Sequence, residues 1–559
     1  AVAQFARALG DTGKYNTYIA RAQFWRNVFS TESSYITRRN ADGTFALPLE
    51  PASDSGYTEG NATQYTWMVT YNFQGLINLM GGRPTAIQRL DHHFTQLNGG
   101  LTLPFFYIGN EPEHGVPWAY TFAARPSGTA AAVRRVMSES FTTGAGGLPG
   151  NDDLGATSAW YVWAALGMYP ATPGADTLVL HGPLFPSITV QLAGGRVLQV
   201  NGAGAGPSSQ FVQSLRVNGA STNRPWLRYG DIQNGATLDF QMGGSSSSSW
   251  GTNPADVPPS FNDGFTPPPT APDLGTNLAL GKAVTGSTAC AASESAGKAV
   301  DGVLSGNSKF CSSTAPRFLQ VDLGAAVNVS AVVIKHAGLG AENTGWNTGA
   351  YTVRVSTDGA NFATVASASG MRSSRTVHQF AAASARFVRL DITTPTNNGN
   401  GAARIYELEV YGGGGGGPTN LALNRAATGS TACNANEGPA KAVNGSVSGG
   451  TTDKFCSLAA TKFLQVDLGS VRSIQSFTVR HAGAGGETAS WNTRDFDLLL
   501  STDGSSFTTA AQVRGNTASV STHPLGAATS ARFARINIIT PTQTTDGATR
   551  IYEFEVLGM

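Results

Sequence analysis

The stretch that decides the architecture is "TNLALGKAVTGSTAC" at 276–290, because it returns as "TNLALNRAATGSTAC" at 419–433. Outward from it the correspondence continues. "FLQVDLG" stands at 318 and 463, "WNT" at 346 and 491, "STDG" at 356 and 501. "ARFVRLDITTPT" at 385 returns as "ARFARINIITPT" at 531, and "RIYELEVYG" at 404 as "RIYEFEVLG" at 550. The offset drifts only from 143 (419 − 276) to 146 (550 − 404), so the second half is two copies of one domain and not a short-period solenoid. Within each copy, runs such as "FLQVDL", "VSAVVIKHA" and "RFVRLDI" alternate or are β-branched, and Gly, Asn and Asp punctuate them. That pattern predicts all-β sandwiches, at 276–412 and 419–559. "GGGGGGP" at 412–418 reads as a flexible linker over 413–418, and the Pro-rich "FTPPPTAPDLG" at 265–275 as a stiffer one within 261–275.

All four cysteines lie in this half, and their spacings nearly match: 311 − 290 = 21 and 456 − 433 = 23. Three pairings are possible, and the repeat selects Cys290–Cys311 with Cys433–Cys456. One disulfide per copy implies an oxidising, extracellular compartment, so the protein is expected to be secreted. A zinc site is the competing reading, but no CxxC or neighbouring His supports it.

Of the 559 residues 13% are charged, the formal net charge is +1, and Gly numbers 68. No Lys/Arg block could track a phosphate backbone, which argues against nucleic acid. No run of about 18 apolar residues marks an integral membrane segment. The opening "AVAQFARALGDTGKY" has neither Met nor a signal-like run, so the start reads as processed or truncated.

Residues 1–175 read as helical. "TQYTWMVTYNFQGLINLMGG" is an apolar run closed by Gly81 and Gly82, and "RPTAIQRLDHHFTQL", "VPWAYTFAA" and "PSGTAAAVRRVM" follow with Pro, Ser or Thr at their starts. "ATSAWYVWAALGMYP" is apolar on every side, which predicts a wholly buried helix. Short stacked helices suggest a toroid or bundle, and strands take over at 176–260. Three Gly- and Asn-marked turns interrupt these helices with acids: "YTEGNATQYTW" (57–67), "YIGNEPEHGVPW" (107–118) and "PGNDDLGATSAWY" (149–161). Each puts a carboxylate at a helix start, beside aromatic walls suited to a ligand pocket.

On "NLAL", "AVDG" (299–302), "FLQVDLG", "VRVSTDG" and "IYELEVYG", the two copies resemble discoidin-like, or coagulation-factor C-type, domains, which overlap family 32 carbohydrate-binding modules. The resemblance implies a jelly-roll sandwich with a structural Ca2+ held by Asp301 and Glu407. In the second copy Asn444 replaces the aspartate opposite Glu553, which removes one charge. The loops 335–349 and 480–494 fit sugar recognition: Trp346 and Trp491 as stacking platforms, with His336, Asn347, His481 and Asn492 as hydrogen-bonding groups. Glu342 and Glu487 also correspond. Loop plugs and structural histidines are the alternative reading of the same residues.

Residues 1–260, on "EGNATQ", "GNEPEHG" and "NDDLG", resemble the C-terminal part of the catalytic region of family 92 glycoside hydrolases. These are Ca2+-dependent, inverting exo-α-mannosidases built from a β-sandwich on an (α/α)6 toroid. The resemblance implies Glu59 as general acid, Asp153 as general base with Asp152 beside it, and Asn110 and Glu111 as Ca2+ ligands. His114 falls in the supporting shell toward the substrate, with Trp118. A helix start should favour ionised Asp153, whereas Glu59 needs burial or neighbouring acids to stay protonated. Phe106 and Tyr107 stand where members cutting α-1,2 linkages often carry His-Glu, so the linkage stays open. The family's N-terminal sandwich and first helices are absent from this sequence. The expectation is thus a multidomain, secreted, Ca2+-dependent α-mannosidase acting on mannose-containing glycans. Its alternative is an incomplete fragment serving as a glycan-binding or adhesion protein.

Overall fold

A computed structural model describes residues 1–261, 274–412, 419–447 and 452–558. The linkers read at 262–273 and 413–418 lie outside the described residues. Two compact units emerge, Ala1–Gly413 and Gly414–Met559.

The first unit opens with α1 (Val2–Ala8) and α2 (Thr12–Arg21), the latter capped by Asp11 accepting from the Lys14 amide. The apolar run at 63–82 is not one helix. It splits into α3 (Ala62–Tyr65), two 3-10 turns and α4 (Phe73–Leu79). The break has a local cause: the Asn72 side chain accepts from the Gly75 amide (3.0 Å) and starts a new helix mid-run. α5 (Arg83–His93) carries Pro in its first turn, and α6 (Ala119–Phe122) and α7 (Pro126–Glu139) follow. α8 (Ala156–Leu166) runs between Gly155 and Gly167, both left-handed. Trp67, Phe73, Phe106, Trp118, Phe122 and Trp160 form the common core.

α8 departs from the expectation of burial all round. Trp160 and Ala164 face the core, Trp160 stacking on Phe141 (5.8 Å between centroids), whereas Val162 is 59% exposed. Tyr161 and Ala165 pack on the same core and Trp163 and Leu166 on the core of the sheets that follow, so the open face is the one that carries Val162.

Strands then build a five-stranded sheet in the spatial order Ser187–Gln191, Val197–Ala203, Ala236–Gly243, Phe211–Val217, Ala220–Thr222. A three-stranded sheet of Met168–Tyr169, Thr177–Leu180 and Trp226–Arg228 shares its core through Leu180, Leu238, Phe240 and Trp250. The edge strand Ser187–Gln191 has no buried residue.

Each repeat is an antiparallel sandwich around two long strands. In the first, Arg317–His336 pairs with Arg375–Thr394 and with Ala403–Tyr411. In the second, Lys462–His481 pairs with Val520–Thr540 and Thr549–Gly558. The register faces Leu319 with Leu390 and Val321 with Val388, matched by Leu464 with Ile536 and Val466 with Ala534. Alternate residues therefore reach one core, as period-two patterning requires. Cys290–Cys311 and Cys433–Cys456 are bonded, so no thiolate remains for zinc.

Candidate functional site

Three turns carry the acids, and local hydrogen bonds shape each one. In the first, Asn61 accepts from the Thr63 (3.0 Å) and Gln64 (3.3 Å) amides, and Gln64 accepts in return from the Asn61 amide (3.2 Å). This capping box fixes the start of α3. Glu59, two residues upstream, takes a left-handed backbone at φ 58°. The Asn61 amide group also donates to the Leu101 and Leu103 carbonyls, tying this turn to the loop that precedes the second.

In the second turn, Asn110 Nδ2 donates to the Glu59 carbonyl at 2.6 Å. Glu113 sits fully buried against His93 Nε2 of α5 (2.5 Å), and burial pushes its carboxyl up. Asn98 joins the second turn to the third: its side chain accepts from the Gly109 amide (3.2 Å) and donates to the Pro149 carbonyl (3.0 Å). The two backbones touch at Gly150, where a Cβ would lie 2.4 Å from the Gly109 carbonyl oxygen. Only glycine fits that approach.

In the third turn Asp152 makes the helix-start bond, accepting from the Ser158 amide at 2.8 Å, while Asp153 and Leu154 both adopt positive φ. The Asp153 carbonyl accepts from the Ala156 amide (3.2 Å), and its carboxyl meets Glu111. Its carboxyl is pushed up by desolvation, then by the charge and hydrogen bond of Glu111, then by Glu59 and Asp152. The expected preference of a helix start for the ionised form is outweighed, because three acids face Asp153 and Asp152 takes the amide. Glu59, Glu111, Asp152 and Asp153, distant in sequence, thus meet on one rim. Glu59, Glu111 and Asp153 are solvent-exposed there. Carboxylates are hard oxygen donors of the type Ca2+ takes, and Asn110 is held at this rim by its bond to the Glu59 carbonyl.

Trp118 requires a correction. It is fully buried, stacked on Tyr169 (4.1 Å) with its N–H donated to His181 Nδ1 (3.3 Å), so it is core and not a substrate-binding residue. His114 is also buried. Its ring nitrogen meets the Ile108 carbonyl (3.2 Å) and its own carbonyl accepts from Trp160 Nε1 (2.9 Å). It braces the second turn against α8 and does not face a substrate.

In the repeats, each presumed ion site contains an orphaned buried oxygen. Glu407 Oε1 accepts from the Gly302 amide (2.9 Å) and Glu553 Oε1 from the Gly445 amide (2.7 Å), while Oε2 of each is buried without a partner. Burial pushes Glu407 up to about 8 and Glu553 up to about 7. Asp301 stands close by in the first copy, accepting from Ser308 Oγ (2.6 Å). In the second copy Asn444 Nδ2 donates to Asp453 Oδ1 at 2.8 Å, and Asp453 occupies the position of Ser308. The charge lost at 444 is regained across the site. Lining up the two copies residue by residue carries that signal, but reading position 444 alone misses it. Both sites fit Ca2+.

Residues 1–244 match the glycosyl hydrolase family 92 catalytic domain. Residues 283–408 and 426–554 match the F5/8 type C domain. An uncharacterized secreted glycosidase of Arthroderma benhamiae is 30% identical over 281 residues, covering 45% of this chain and 35% of that protein. A family 92 alpha-mannosidase structure from Bacteroides thetaiotaomicron is 30% identical, covering 48% of this chain and 36% of that one, with a TM-score of 0.45. A family 32 carbohydrate-binding module from Streptococcus pneumoniae is 28% identical, covering 24% of this chain and 99% of the module, with a TM-score of 0.23. The chain spans about a third of the length of the glycosidases it matches. Among the described residues no helix is long and apolar enough to cross a membrane.

The loops of the F5/8 type C domains need a second correction. His336 and His481 are fully buried, bonded to Thr376 Oγ1 (3.2 Å) and Ser521 Oγ (2.9 Å), and burial pushes both down to about 3. Asn347 and Asn492, also buried, accept from the Gly338 and Gly483 amides at 2.8 Å and so close their own loops. All four are structural. Trp346 and Trp491 stay half-buried, each with one face under a guanidinium at 4.3 Å, from Arg404 and Arg550. Those arginines are held by Glu342 (3.4 Å) and Glu487 (3.3 Å).

Proposed function

We propose that residues 1–260 supply part of the active centre of a Ca2+-dependent, inverting exo-α-mannosidase acting on mannose-containing glycans, and that the F5/8 type C domains bind glycans. The observation that carries this is the meeting of Glu59, Glu111, Asp152 and Asp153 from three separate turns. An inverting glycosidase needs one protonated carboxyl at the leaving oxygen and one carboxylate that activates water from the opposite face. Glu59 serves as the acid and Asp153 as the base. Asp152 holds the turn by capping α8, and His114 braces it from below. Asn110 and Glu111 would hold the Ca2+, which supplies a hard Lewis acid for sugar hydroxyls. Trp346 and Trp491 offer their uncovered faces to sugar rings.

Release of mannose from α-mannosides, with and without a chelator, tests the assignment on wild type, Glu59→Gln and Asp153→Asn. Both variants and the chelated protein should lose activity at least a hundredfold; robust turnover in either variant sinks it. A second reading, a non-catalytic glycan-binding protein, is favoured by the exposure of Glu59, Glu111 and Asp153 on an open rim. It predicts binding of mannans without release of mannose.

A further inference from the structure

The two F5/8 type C domains are near-copies in sequence, yet their corresponding loops are treated differently. In the first, the loop at 337–346 is pressed against the catalytic region. Thr344 and Leu49 exchange two bonds: the Thr344 amide donates to the Leu49 carbonyl (2.9 Å) and the Leu49 amide to Thr344 Oγ1 (2.7 Å). Tyr35 Oη donates to the Gly338 carbonyl (2.9 Å), Asn343 Nδ2 to Glu50 Oε2 (3.1 Å), and the Ser374 amide to the Glu32 carbonyl (2.8 Å). Leu339, 1% exposed, lines a small cavity with Tyr35, Trp67, Arg89 and His92. Arg375 packs so closely on Gly81 that a Cβ there would lie 2.7 Å from its guanidinium carbon.

The side chains that make this interface are the ones the second copy lacks. Leu339 corresponds to Ala484, Asn343 to Thr488, Thr344 to Ala489 and Arg375 to Val520. In the second copy Gly486, Thr488 and Ala489 are exposed. Residues that only maintain the sandwich, such as His336/His481 and Asn347/Asn492, are kept in both.

The residues of the 1–260 region at the interface lead directly to the acid turns. Leu49 and Glu50 open the segment that ends in Glu59. α5 presents Gln88, which donates to the Gly302 carbonyl (3.0 Å), and Arg89, which lies over Tyr35 (4.3 Å). The next turn of α5 carries His93, the partner of Glu113 and hence of the Asn110–Glu111 turn. We propose that the first F5/8 type C domain is a positioning domain for the acid rim. A docking set of Leu339, Asn343, Thr344 and Arg375 locks it in place, and the second copy does not carry that set. The docking stands independently of the mannosidase reading, which it would serve by fixing where Glu59 and Glu111 sit.

The test is amide hydrogen exchange on the full chain carrying Leu339→Ala with Thr344→Ala, the residues that the second copy tolerates at these positions. Exchange at 47–61 and 107–114 should rise at least tenfold, while strands 350–356 and 388–392 stay protected, which shows that the sandwich remains folded. Thr344→Ser, which keeps the acceptor, should preserve protection, and Thr344→Val should not. Tyr35→Phe, a change on the opposite partner, should loosen the same two segments to a smaller extent. Wild-type exchange at 47–61 and 107–114 in the double variant, whether or not 337–346 opens, overturns the proposal.

Discussion

Replacing Asp453 by serine, the residue at the equivalent position of the first copy, probes how the second domain keeps an ion site without an aspartate at 444. In the folded protein Asp453 is bonded to Asn444, the counterpart of Asp301, and Glu553 has a buried oxygen with no partner. Ca2+ at about 100 times its Kd stabilises a domain by about 2.7 kcal/mol. With an unfolding entropy near 2.1 cal/mol/K per residue over roughly 140 residues, that is a rise in Tm of about 9 °C. Losing one charged ligand costs about 1.5–3 kcal/mol, the range for charge-assisted contacts. At the upper end, a hundredfold weaker Kd leaves about 0.4 kcal/mol and a shift of about 1 °C. Scanning calorimetry with and without Ca2+, following the transition of the Gly414–Met559 unit, measures it. Asn444→Asp added to Asp453→Ser rebuilds the first copy's arrangement and should restore the shift. A full 9 °C shift in the single variant would refute the claim that the charge moved from 444 to 453. The apo protein offers a further check. Glu553 is pushed up to about 7, so the folded state holds a proton that the unfolded state releases near its ordinary value. The Glu553 contribution to apo stability should therefore fall as pH rises from about 4.5 to 7, read as the difference between wild type and Glu553→Gln, and Ca2+ should cancel that difference.

Glu113→Ala should destabilise the first unit by about 3–5 kcal/mol, because it removes one member of a buried pair and strands His93; urea unfolding reads this. Gly485→Ala should destabilise the second F5/8 type C domain by at least about 1–3 kcal/mol, since a Cβ there would lie 1.9 Å from the Tyr552 ring. Its thermal transition should drop while the first unit's holds. His336 and His481, pushed down to about 3, stay neutral in the fold while the unfolded chain takes up protons below about 6.5. Their contribution to stability should then decline as pH falls from 6.5 toward 3, read for the second unit as the difference in urea midpoint between wild type and His481→Gln.

The repeat was the most legible feature of the chain. Period-two runs and matched cysteine spacings are local, so sheet type and disulfide pairing could be read without tertiary information. The helix stop at Gly81 and Gly82 was legible, since α4 ends at Leu79 and α5 begins at Arg83. The 63–82 run was misread as one helix because apolar composition says nothing about where Asn72 turns its side chain. Trp118, His336 and His481 were misplaced for a related reason: an aromatic or imidazole near a loop looks the same whether it faces water or the core. Asn98 and the His93–Glu113 pair were missed because each bridges turns that only folding brings together.

By itself, the sequence determined that two duplicated β-sandwiches follow a helical, acid-marked region, since repeats, periodicity and caps are encoded within a few residues of one another. Only the tertiary structure decided which of those residues meet. It gathered four acids from three turns, set Asp453 against Asn444, and docked one copy on the helical region through Leu339 and Thr344. Burial and electrostatic coupling depend on distances between residues far apart in the chain, and those distances are set by packing.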